Sequence, residues 1–257
     1  MPSWDPDIYE RYKAYRDRPA LDLLLQIPSG FEPEVTWDLG CGTGEQAALL
    51  ARRHPLAKTF GLDSSPQMLE AARRRKERVT WVQSDIESFA PDQSVDLIYT
   101  NAALQWTANH EALFLRLAGY LSSEGVFACQ MPTAFHEPWH VILRDLAETP
   151  EWKSLLGDVR GTTPVAPAAA YFDWLSPVCG EIDIWTTTYL HVLEGEDPVV
   201  EWMRGTGLRP YLDALSDPAA QAAFLDTYRQ RVAEALPART DGRTLFPFPR
   251  MFIIARR

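Results

Sequence analysis

The segment VTWDLGCGTG, residues 35–44, joins a short apolar run to three closely spaced glycines, and a helix-forming segment begins near Glu45. Glycines permit a tight turn and let a ligand approach the backbone, because no Cβ stands in the way. The free N–H groups at the start of the following helix can face an anion such as a carboxylate. The segment therefore predicts a strand, a ligand-binding turn and a helix in succession.

Downstream of this turn, short apolar runs alternate with helix-forming segments, as in a parallel sheet flanked by helices. The apolar runs are rich in β-branched and aromatic residues, which suits strands buried on both faces. Ser65 followed by Pro66 predicts a helix start, with the serine as N-cap and the proline at the first helical position. Strands are predicted over 35–40, 58–63, 79–85, 95–100 and 125–131, and helices over 19–27, 45–54, 66–76 and 110–121.

Prolines become frequent after Met131, which ends this alternation and predicts an insertion of short helices and loops. Two runs of strand composition follow, at 181–193 and 244–257, on either side of a helical stretch over about 198–236. We therefore expect one domain over 1–257. Its predicted parts are an N-terminal helical cap segment 1–30, a cofactor-binding core 31–132, substrate-cap insertions 133–180 and 196–240, and the last two strands within 181–195 and 244–257.

The composition restricts the class of protein and its partners. The chain has 257 residues, 46% of them hydrophobic, and a formal net charge of −10. That hydrophobic share is sufficient for a packed core, and the negative charge excludes nucleic acid and anionic membrane as expected partners. The first residues do not read as a secretory signal, and the cysteines at 41, 129 and 179 are widely spaced, so we expect reduced thiols, no structural metal and a cytoplasmic location.

Acidic residues follow two further strands of the predicted sheet. Asp63 ends the second strand about twenty residues after the glycine turn, the spacing at which a carboxylate meets ribose hydroxyls. Asp85 follows the third strand and, with Ile86, can hold an amino group and a flat ring. Two cofactors fit this pattern. A fold that binds a dinucleotide more often has a GxGxxG turn, whereas a GxGxG turn preceded by an acidic residue suits S-adenosylmethionine.

The chain resembles class I S-adenosylmethionine-dependent methyltransferases in its DLGCGTG, GLDSS, SDI and NAALQW segments. More narrowly, and over its whole length, it resembles the trans-aconitate 2-methyltransferase family in WDP near the start, NAALQW (101–106), GEIDIWTTTY (180–189), WMRGTGLRPYL (202–212) and FPRMFIIARR (248–257). The resemblance implies an α/β, Rossmann-like fold with a seven-stranded, mostly parallel sheet, an antiparallel last strand and helical cap insertions. It also implies methyl transfer from S-adenosylmethionine to a carboxylate of trans-aconitate, giving a monomethyl ester and S-adenosylhomocysteine.

The resemblance also implies roles for individual residues. The methionine end of the cofactor would meet the glycine turn, the ribose would meet the end of the second strand, and the adenine would meet the end of the third. The residues implied, in that order, are Asp38 with Gly40, Gly42 and Gly44, then Asp63 with Ser64, then Asp85 with Ile86, and Asn101 beside the cofactor after the fourth strand.

A small polycarboxylate substrate needs cations and hydrogen-bond donors for the carboxylates that do not react, and arginine provides both. An ionised carboxylate is itself the nucleophile, so we expect no catalytic base. Arg209 and Arg250 lie between apolar or aromatic neighbours, where an unpaired charge would be costly. The predicted substrate-binding residues are Tyr9, Arg16, His140, Tyr171, Arg209 and Arg250.

Two other patterns are interpreted as structural. HEPWH, residues 136–140, spells HExxH, but Pro138 favours a helix that starts there, so we expect no zinc site. The basic run from Arg73 to Lys76 is interpreted as complementing a helix dipole. Three alternative functions remain: a methyltransferase for another small acid or a hydroxylated metabolite, a nicotinamide-dependent oxidoreductase, and a non-catalytic partner domain that keeps the pocket. The oligomeric state stays open.

Overall fold

The computed structural model describes residues 13–157, 159 and 165–257. Seven strands form one sheet with the order β3-β2-β1-β4-β5-β7-β6. The pairs from β3 to β5 are parallel, and β7 runs antiparallel to β5, which confirms the predicted sheet. The strands are β1 Val35–Leu39, β2 Lys58–Asp63, β3 Val79–Gln83, β4 Val95–Asn101, β5 Leu121–Pro132, β6 Glu181–Leu193 and β7 Thr244–Arg256.

The strand order reverses between β1 and β4, since β2 lies on one side of β1 and β4 on the other. In open α/β sheets, ligands bind outside the carboxyl ends of the strands at such a switch point. The glycine turn follows β1 and Asn101 ends β4, so both lie at this point. The topology therefore places the candidate site at the carboxyl edge of the sheet.

Ten α-helices lie in the described residues: α1 Lys13–Gln26, α2 Glu45–Arg53, α3 Pro66–Ala72, α4 His110–Gly119, α5 Pro138–Ala147, α6 Pro150–Leu156, α7 Ala168–Leu175, α8 Pro198–Arg204, α9 Arg209–Ala214 and α10 Pro218–Ala235. The predicted start of α3 is confirmed, because the Ser65 hydroxyl accepts a hydrogen bond from the Met68 N–H and Pro66 is the first helical residue. The helical stretch predicted over 198–236 is three helices, and each has a proline as its first or second residue.

The chain divides into two compact units. Of the described residues, the sheet unit contains 18–132, 165–187 and 250–257, and the helical unit contains 13–17, 133–157, 159 and 188–249. This division differs from the predicted insertion over 133–180, because α7 belongs to the sheet unit. Tyr171 and Leu175 of α7 are fully buried in the same cluster as Phe114 and Leu117 of α4. The helical unit has its own core, which includes Trp139, Trp152, Trp202, Phe224 and Phe246.

The HExxH pattern has no metal-binding geometry. His136 ends a short 3-10 helix, Ala134–His136, and α5 begins at Pro138, as predicted. Within the described residues, no group of three or more His, Cys, Asp and Glu side chains is placed to bind a metal. The cysteines at 41, 129 and 179 are buried free thiols. No helix in the described ranges is long and apolar enough to cross a membrane.

Candidate active site

The glycine turn after β1 depends on backbone conformations that favour glycine. Gly40, Gly42 and Gly44 have φ angles of 73°, 55° and 80°. These values lie in the left-handed region, which L side chains rarely adopt. The N–H groups of Gly40 and Cys41 both donate to the Leu62 carbonyl, at 2.8 and 2.9 Å. The turn is therefore anchored to the end of β2.

The three glycines differ in the space beside them. A Cβ on Gly40 would lie 2.3 Å from the Cβ of Ala103, and a Cβ on Gly44 would lie 2.4 Å from the Trp81 ring. A Cβ on Gly42 would meet nothing within 4 Å. Gly40 and Gly44 thus allow close packing within the protein, whereas Gly42 leaves its backbone open to a ligand.

Asp38, near the end of β1, has a buried carboxyl group with one unsatisfied oxygen atom. Its side chain is 2% exposed, and its Oδ2 has no hydrogen-bond partner among the described residues. The pKa of the Asp38 carboxyl is raised to about 8, mainly by burial and also by the negative charges of Asp63 and Glu45, while a hydrogen bond from the Ala47 backbone N–H opposes the rise. A buried acid in this state would be stabilised by a bound cation.

Asp63 connects the end of β2 to the glycine turn. Its Oδ2 accepts a hydrogen bond from the Gly42 N–H at 2.9 Å, and its Oδ1 accepts one from the Ser65 N–H at 2.8 Å. The side chain is half-buried, as is that of Ser64. Each carboxylate oxygen can accept more than one hydrogen bond, so Asp63 can still accept from hydroxyl donors.

Asp85 and Ile86 follow β3 at the carboxyl edge of the sheet. Asp85 is exposed and caps the 3-10 helix Ile86–Ser88, accepting a hydrogen bond from the Glu87 N–H at 2.8 Å. The Cδ1 atom of Ile86 lies 3.5 Å from the position of a Cβ on Gly40, so Ile86 is next to the turn. Arg116 of α4 donates to the carbonyls of Ile86, Glu87 and Phe89, and thereby holds this segment.

Asn101 ends β4 and is paired with Gln130 of β5. The Oδ1 of Asn101 and both polar side-chain atoms of Gln130 are buried without a hydrogen-bond partner among the residues described. The next residue, Ala102, has a φ of 53°, which is rare for a residue other than glycine. The polar end of β4 thus leads into a strained loop.

Arg75 is a site residue that the sequence interpretation missed. The helix α3 ends at Ala72 and Arg73 is its C-cap, so the basic run directly follows the helix. The Nε of Arg75 donates to the Thr43 carbonyl at 2.6 Å, and its guanidinium pairs with Glu45. Arg75 therefore supports the glycine turn from outside. Local sequence carries no signal for this contact, since 32 residues separate its partners.

The two arginines predicted to bind substrate, Arg209 and Arg250, lie in different units. Arg209 is in the helical unit, where its Nε lies 3.4 Å from the Asp213 carboxylate. Arg250 is on β7 in the sheet unit, opposite Pro132 and 5% exposed. The pairing of Gln130 with Phe252 puts these two residues on one face, and Arg250 shares that face because it is two residues from Phe252. Arg250 is therefore near Gln130 and Asn101 at the carboxyl edge of the sheet.

Of the other predicted substrate residues, the structure describes the side chains of His140 and Tyr171. Tyr9 and the side chain of Arg16 lie outside the described part of the chain. His140 is in the helical unit, where burial lowers its pKa to about 4 and the charge of Arg144 adds to this effect. Tyr171 is fully buried in the sheet unit, and its hydroxyl lies 2.6 Å from Nδ1 of His110. The Tyr171 hydroxyl therefore already has a partner within the protein.

Comparison with known proteins agrees with this geometry. Residues 37–129 match the family model described as a methyltransferase domain. The chain is 44% identical to the trans-aconitate 2-methyltransferase of Methylobacterium radiotolerans, covering 100% of this chain and 99% of that protein. It is also 44% identical to the protein of the same name from Yersinia pseudotuberculosis, covering 99% of this chain and 98% of the relative.

Solved structures share the fold at low sequence identity. The YcgJ protein from Bacillus subtilis superposes with a TM-score of 0.60 at 16% identity, covering 93% of this chain and 98% of that one. The plantazolicin methyltransferase BpumL, solved in complex with a triazolic desmethylPZN analogue and SAH, superposes with a TM-score of 0.53 at 15% identity, covering 98% of this chain and 89% of its own. The fold is that of the class I methyltransferases, and the chain belongs to the trans-aconitate 2-methyltransferase family.

Proposed function

We propose that this protein transfers a methyl group from S-adenosylmethionine to a carboxylate of trans-aconitate, releasing a monomethyl ester and S-adenosylhomocysteine. The observation that carries the proposal is the 44% identity, over essentially the full length of both chains, to relatives of that name. Full-length identity includes the helical unit and β7, whereas the methyltransferase domain match covers only residues 37–129. The buried free thiols support a reducing compartment, and we place the activity in the cytoplasm.

The residues at the switch point fit this cofactor. When bound, S-adenosylmethionine supplies an electrophilic methyl group on a positively charged sulfur, beside a charged amino group. The unsatisfied carboxylate of Asp38 would face that positive end, and the open backbone at Gly42 leaves room for it. Asp63 would accept from the ribose hydroxyls, and Asp85 with Ile86 would hold the adenine. Asn101, whose Oδ1 is buried and unsatisfied, would face the cofactor from β4.

The chain's contribution to the reaction is positioning and exclusion of water. A carboxylate is ionised at neutral pH and attacks without a base, so no side chain needs to take a proton. Alignment of the reacting atoms and removal of water from the attacking oxygen then supply most of the rate enhancement. Arg250 would hold a carboxylate that does not react. The rings of Trp185 and the fully buried Phe252 are stacked, with centroids 4.8 Å apart, and form an apolar pair in the sheet unit.

A direct assay tests the proposal. The purified protein is incubated with methyl-labelled S-adenosylmethionine and trans-aconitate, and the product is analysed by mass spectrometry. We expect one labelled methyl ester per turnover and little label on citrate or on hydroxylated acceptors. Labelling of a different acid would show that the protein methylates another acceptor. Binding of NADH in place of S-adenosylhomocysteine would indicate an oxidoreductase instead.

Replacing Arg250 by methionine tests the substrate end of the site. Loss of a charge-assisted hydrogen bond costs about 1.5–3 kcal/mol, so we expect the KM for trans-aconitate to rise roughly 10- to 100-fold. The affinity for S-adenosylhomocysteine should stay unchanged, as measured by calorimetry. Arg256→Met is the matched control on the same strand, because Arg256 forms a partly exposed ion pair with Glu181 that contributes little. An unchanged KM in Arg250→Met would place the substrate carboxylates elsewhere.

A further inference from the structure

The loop after β4 is held in a strained conformation next to the glycine turn. Ala102 has a φ of 53°, in the left-handed region that is unfavourable for a residue with a side chain. The next residue, Ala103, fills the space that a Cβ on Gly40 would need. A strained segment persists only where surrounding contacts hold it. Gln105 supplies one of these contacts, since its Nε2 donates to the Ala102 carbonyl at 2.7 Å.

A second set of contacts begins at His110, the first residue of α4. Its Nε2 lies 2.9 Å from the Leu104 carbonyl, in the same loop, and its Nδ1 lies 2.6 Å from the Tyr171 hydroxyl. The Leu104 carbonyl also accepts from the Thr107 hydroxyl at 2.7 Å. The Tyr171 hydroxyl is 3.3 Å from the Ala166 N–H. One chain of hydrogen bonds thus runs from α7 to the loop.

The donors and acceptors in this chain permit one arrangement. A carbonyl only accepts, so the proton of neutral His110 must be on Nε2, and Nδ1 must accept from the Tyr171 O–H. The Tyr171 oxygen in turn accepts from Ala166. The single hydroxyl proton of Tyr171 is therefore used within the protein, and the substrate-binding role predicted for Tyr171 would require this bond to break.

The surroundings of His110 favour its neutral form. Burial lowers the pKa of His110. Hydrogen bonds to the carbonyls of Leu104 and Thr107 favour the charged form and oppose this effect, but burial is the larger cause. Tyr171 is the titratable group against the ring, and the other ring neighbour, Phe114, is uncharged. A second proton on Nδ1 would leave the Tyr171 hydroxyl without an acceptor. Acid would therefore disrupt this chain of hydrogen bonds.

We propose that His110 is a positioning residue for the cofactor site, which holds the loop of Asn101 and Ala103 against the glycine turn through its bond to Leu104, while Tyr171 fixes its tautomer. This inference rests on the proposed S-adenosylmethionine site. It predicts that cofactor affinity depends on the protonation state of His110. All the residues involved belong to the sheet unit.

Two substitutions at His110 separate its two hydrogen bonds. In His110→Gln, the side-chain amide can replace Nε2 as donor to Leu104, and it does not titrate. In His110→Asn, the side-chain oxygen can replace Nδ1 as acceptor from Tyr171, but the bond to Leu104 is lost. At pH 7.5 we expect S-adenosylhomocysteine to bind His110→Gln within about twofold of wild type and His110→Asn roughly 3- to 10-fold more weakly, the effect of one hydrogen bond.

The pH dependence of S-adenosylhomocysteine affinity distinguishes this role from a purely structural one, because a purely structural role of His110 would not change the pH profile. Wild-type affinity should fall as the pH drops below 6.5, whereas the affinity of His110→Gln should not show this loss. His54→Gln is the matched control, because burial also lowers the pKa of His54 but its ring contacts Phe31, away from the loop. It should retain the wild-type profile. Other titrations, including that of Asp38, are common to all three proteins and cancel in the comparison.

Tyr171→Phe provides an independent variant if His110→Asn does not fold. Removal of the hydroxyl leaves Nδ1 free to bind a proton, so the acid loss of affinity should begin at a higher pH than in wild type. Tyr228→Phe is its control, since it also loses a buried hydroxyl hydrogen bond, to the Trp139 carbonyl at 3.1 Å in the helical unit. The control should leave the pH profile unchanged.

Nitrogen NMR of the His110 ring tests the tautomer without any ligand. We expect a neutral ring protonated at Nε2 at pH 7.5. A ring protonated at Nδ1, an equal affinity in His110→Asn and His110→Gln, or the same pH profile in all variants would overturn the role of His110. Failure of the wild-type protein to bind S-adenosylhomocysteine would instead overturn the proposed function, which keeps the two outcomes distinct.

Discussion

Asp38→Asn should make the protein more stable at pH 8 and bind its cofactor more weakly. The buried carboxyl of Asp38 has a pKa near 8, because burial disfavours its charged form. Unfolding lets it ionise in water at its ordinary pKa of 3.8, so the folded state binds the proton more tightly. The contribution of the Asp38 carboxyl to the free energy of unfolding is therefore fully present below pH 3.8 and is lost as the pH rises to about 8. An amide has no charge to bury and removes this loss.

We expect the free energy of unfolding of Asp38→Asn to exceed that of wild type by about 5 kcal/mol at pH 8, measured by urea denaturation. The two proteins should converge near pH 4. Affinity for S-adenosylhomocysteine should fall roughly 10- to 100-fold, since a hydrogen bond to a charged group contributes about 1.5–3 kcal/mol. The Asp38 carboxylate would then lower the stability of the protein and raise its affinity for the cofactor, as is common for groups at functional sites.

Asp96→Asn is the matched control for this substitution. The Asp96 carboxylate on β4 accepts hydrogen bonds from the N–H groups of Glu34 and Val35 and from the Ser122 hydroxyl, at 2.6–3.0 Å. Its charge is satisfied, so the amide should destabilise the protein and leave cofactor affinity unchanged. A loss of stability in Asp38→Asn at pH 8, or an unchanged affinity, would show that Asp38 is satisfied within the protein and does not face the cofactor.

Alanine substitutions at three glycines should have sharply different effects, although each residue has a positive φ. Gly30, at φ 81° in the loop after α1, has nothing within 4 Å of a Cβ, so Gly30→Ala measures the backbone cost alone, about 1–2 kcal/mol. Gly40→Ala adds a contact at 2.3 Å with Ala103 and should cost more than 4 kcal/mol, with cofactor binding lost. Gly42→Ala should cost no more stability than Gly30→Ala and yet weaken cofactor binding about tenfold.

Urea denaturation and calorimetry with S-adenosylhomocysteine check these three variants together. The informative comparison is Gly42→Ala against Gly30→Ala, because equal stability with unequal affinity assigns the open space beside Gly42 to the ligand. If Gly42→Ala binds as well as Gly30→Ala does, the ligand does not approach the turn at this residue. If Gly40→Ala is as stable as Gly30→Ala, the loop of Ala103 can move away from the turn.

The strands and the glycine turn could be predicted from sequence because their signals are local. The apolar runs of β1, β2 and β4 are short and contain β-branched and aromatic residues, and the three glycines follow β1 directly. Ser65 and Pro66 mark the start of α3 through contacts within one helical turn. The candidate cofactor residues follow from the same pattern, since the carboxyl ends of parallel strands meet at one edge of the sheet.

Contacts between distant segments could not be predicted in this way. The sequence places Arg75 at the end of a helix and Tyr171 in an insertion, whereas Arg75 binds the Thr43 carbonyl and α7 packs in the core of the sheet unit. Periodicity reports which face of an element is apolar and carries no information on which partner covers it. The same limit hid the pairing of His110 with Tyr171, which are 61 residues apart.

The local sequence thus specifies the order of strands and helices along the chain, the glycine turn and the acidic residues that follow the strands, because each of these depends on residues that are neighbours in the chain. Tertiary packing specifies that the Oδ2 atom of Asp38 is buried without a hydrogen-bond partner among the described residues, that the space beside Gly42 is open while that beside Gly40 is filled, and that His110 holds one tautomer. These properties depend on burial and on atoms brought together from distant segments, and burial is what shifts a pKa and makes an unpaired polar group costly.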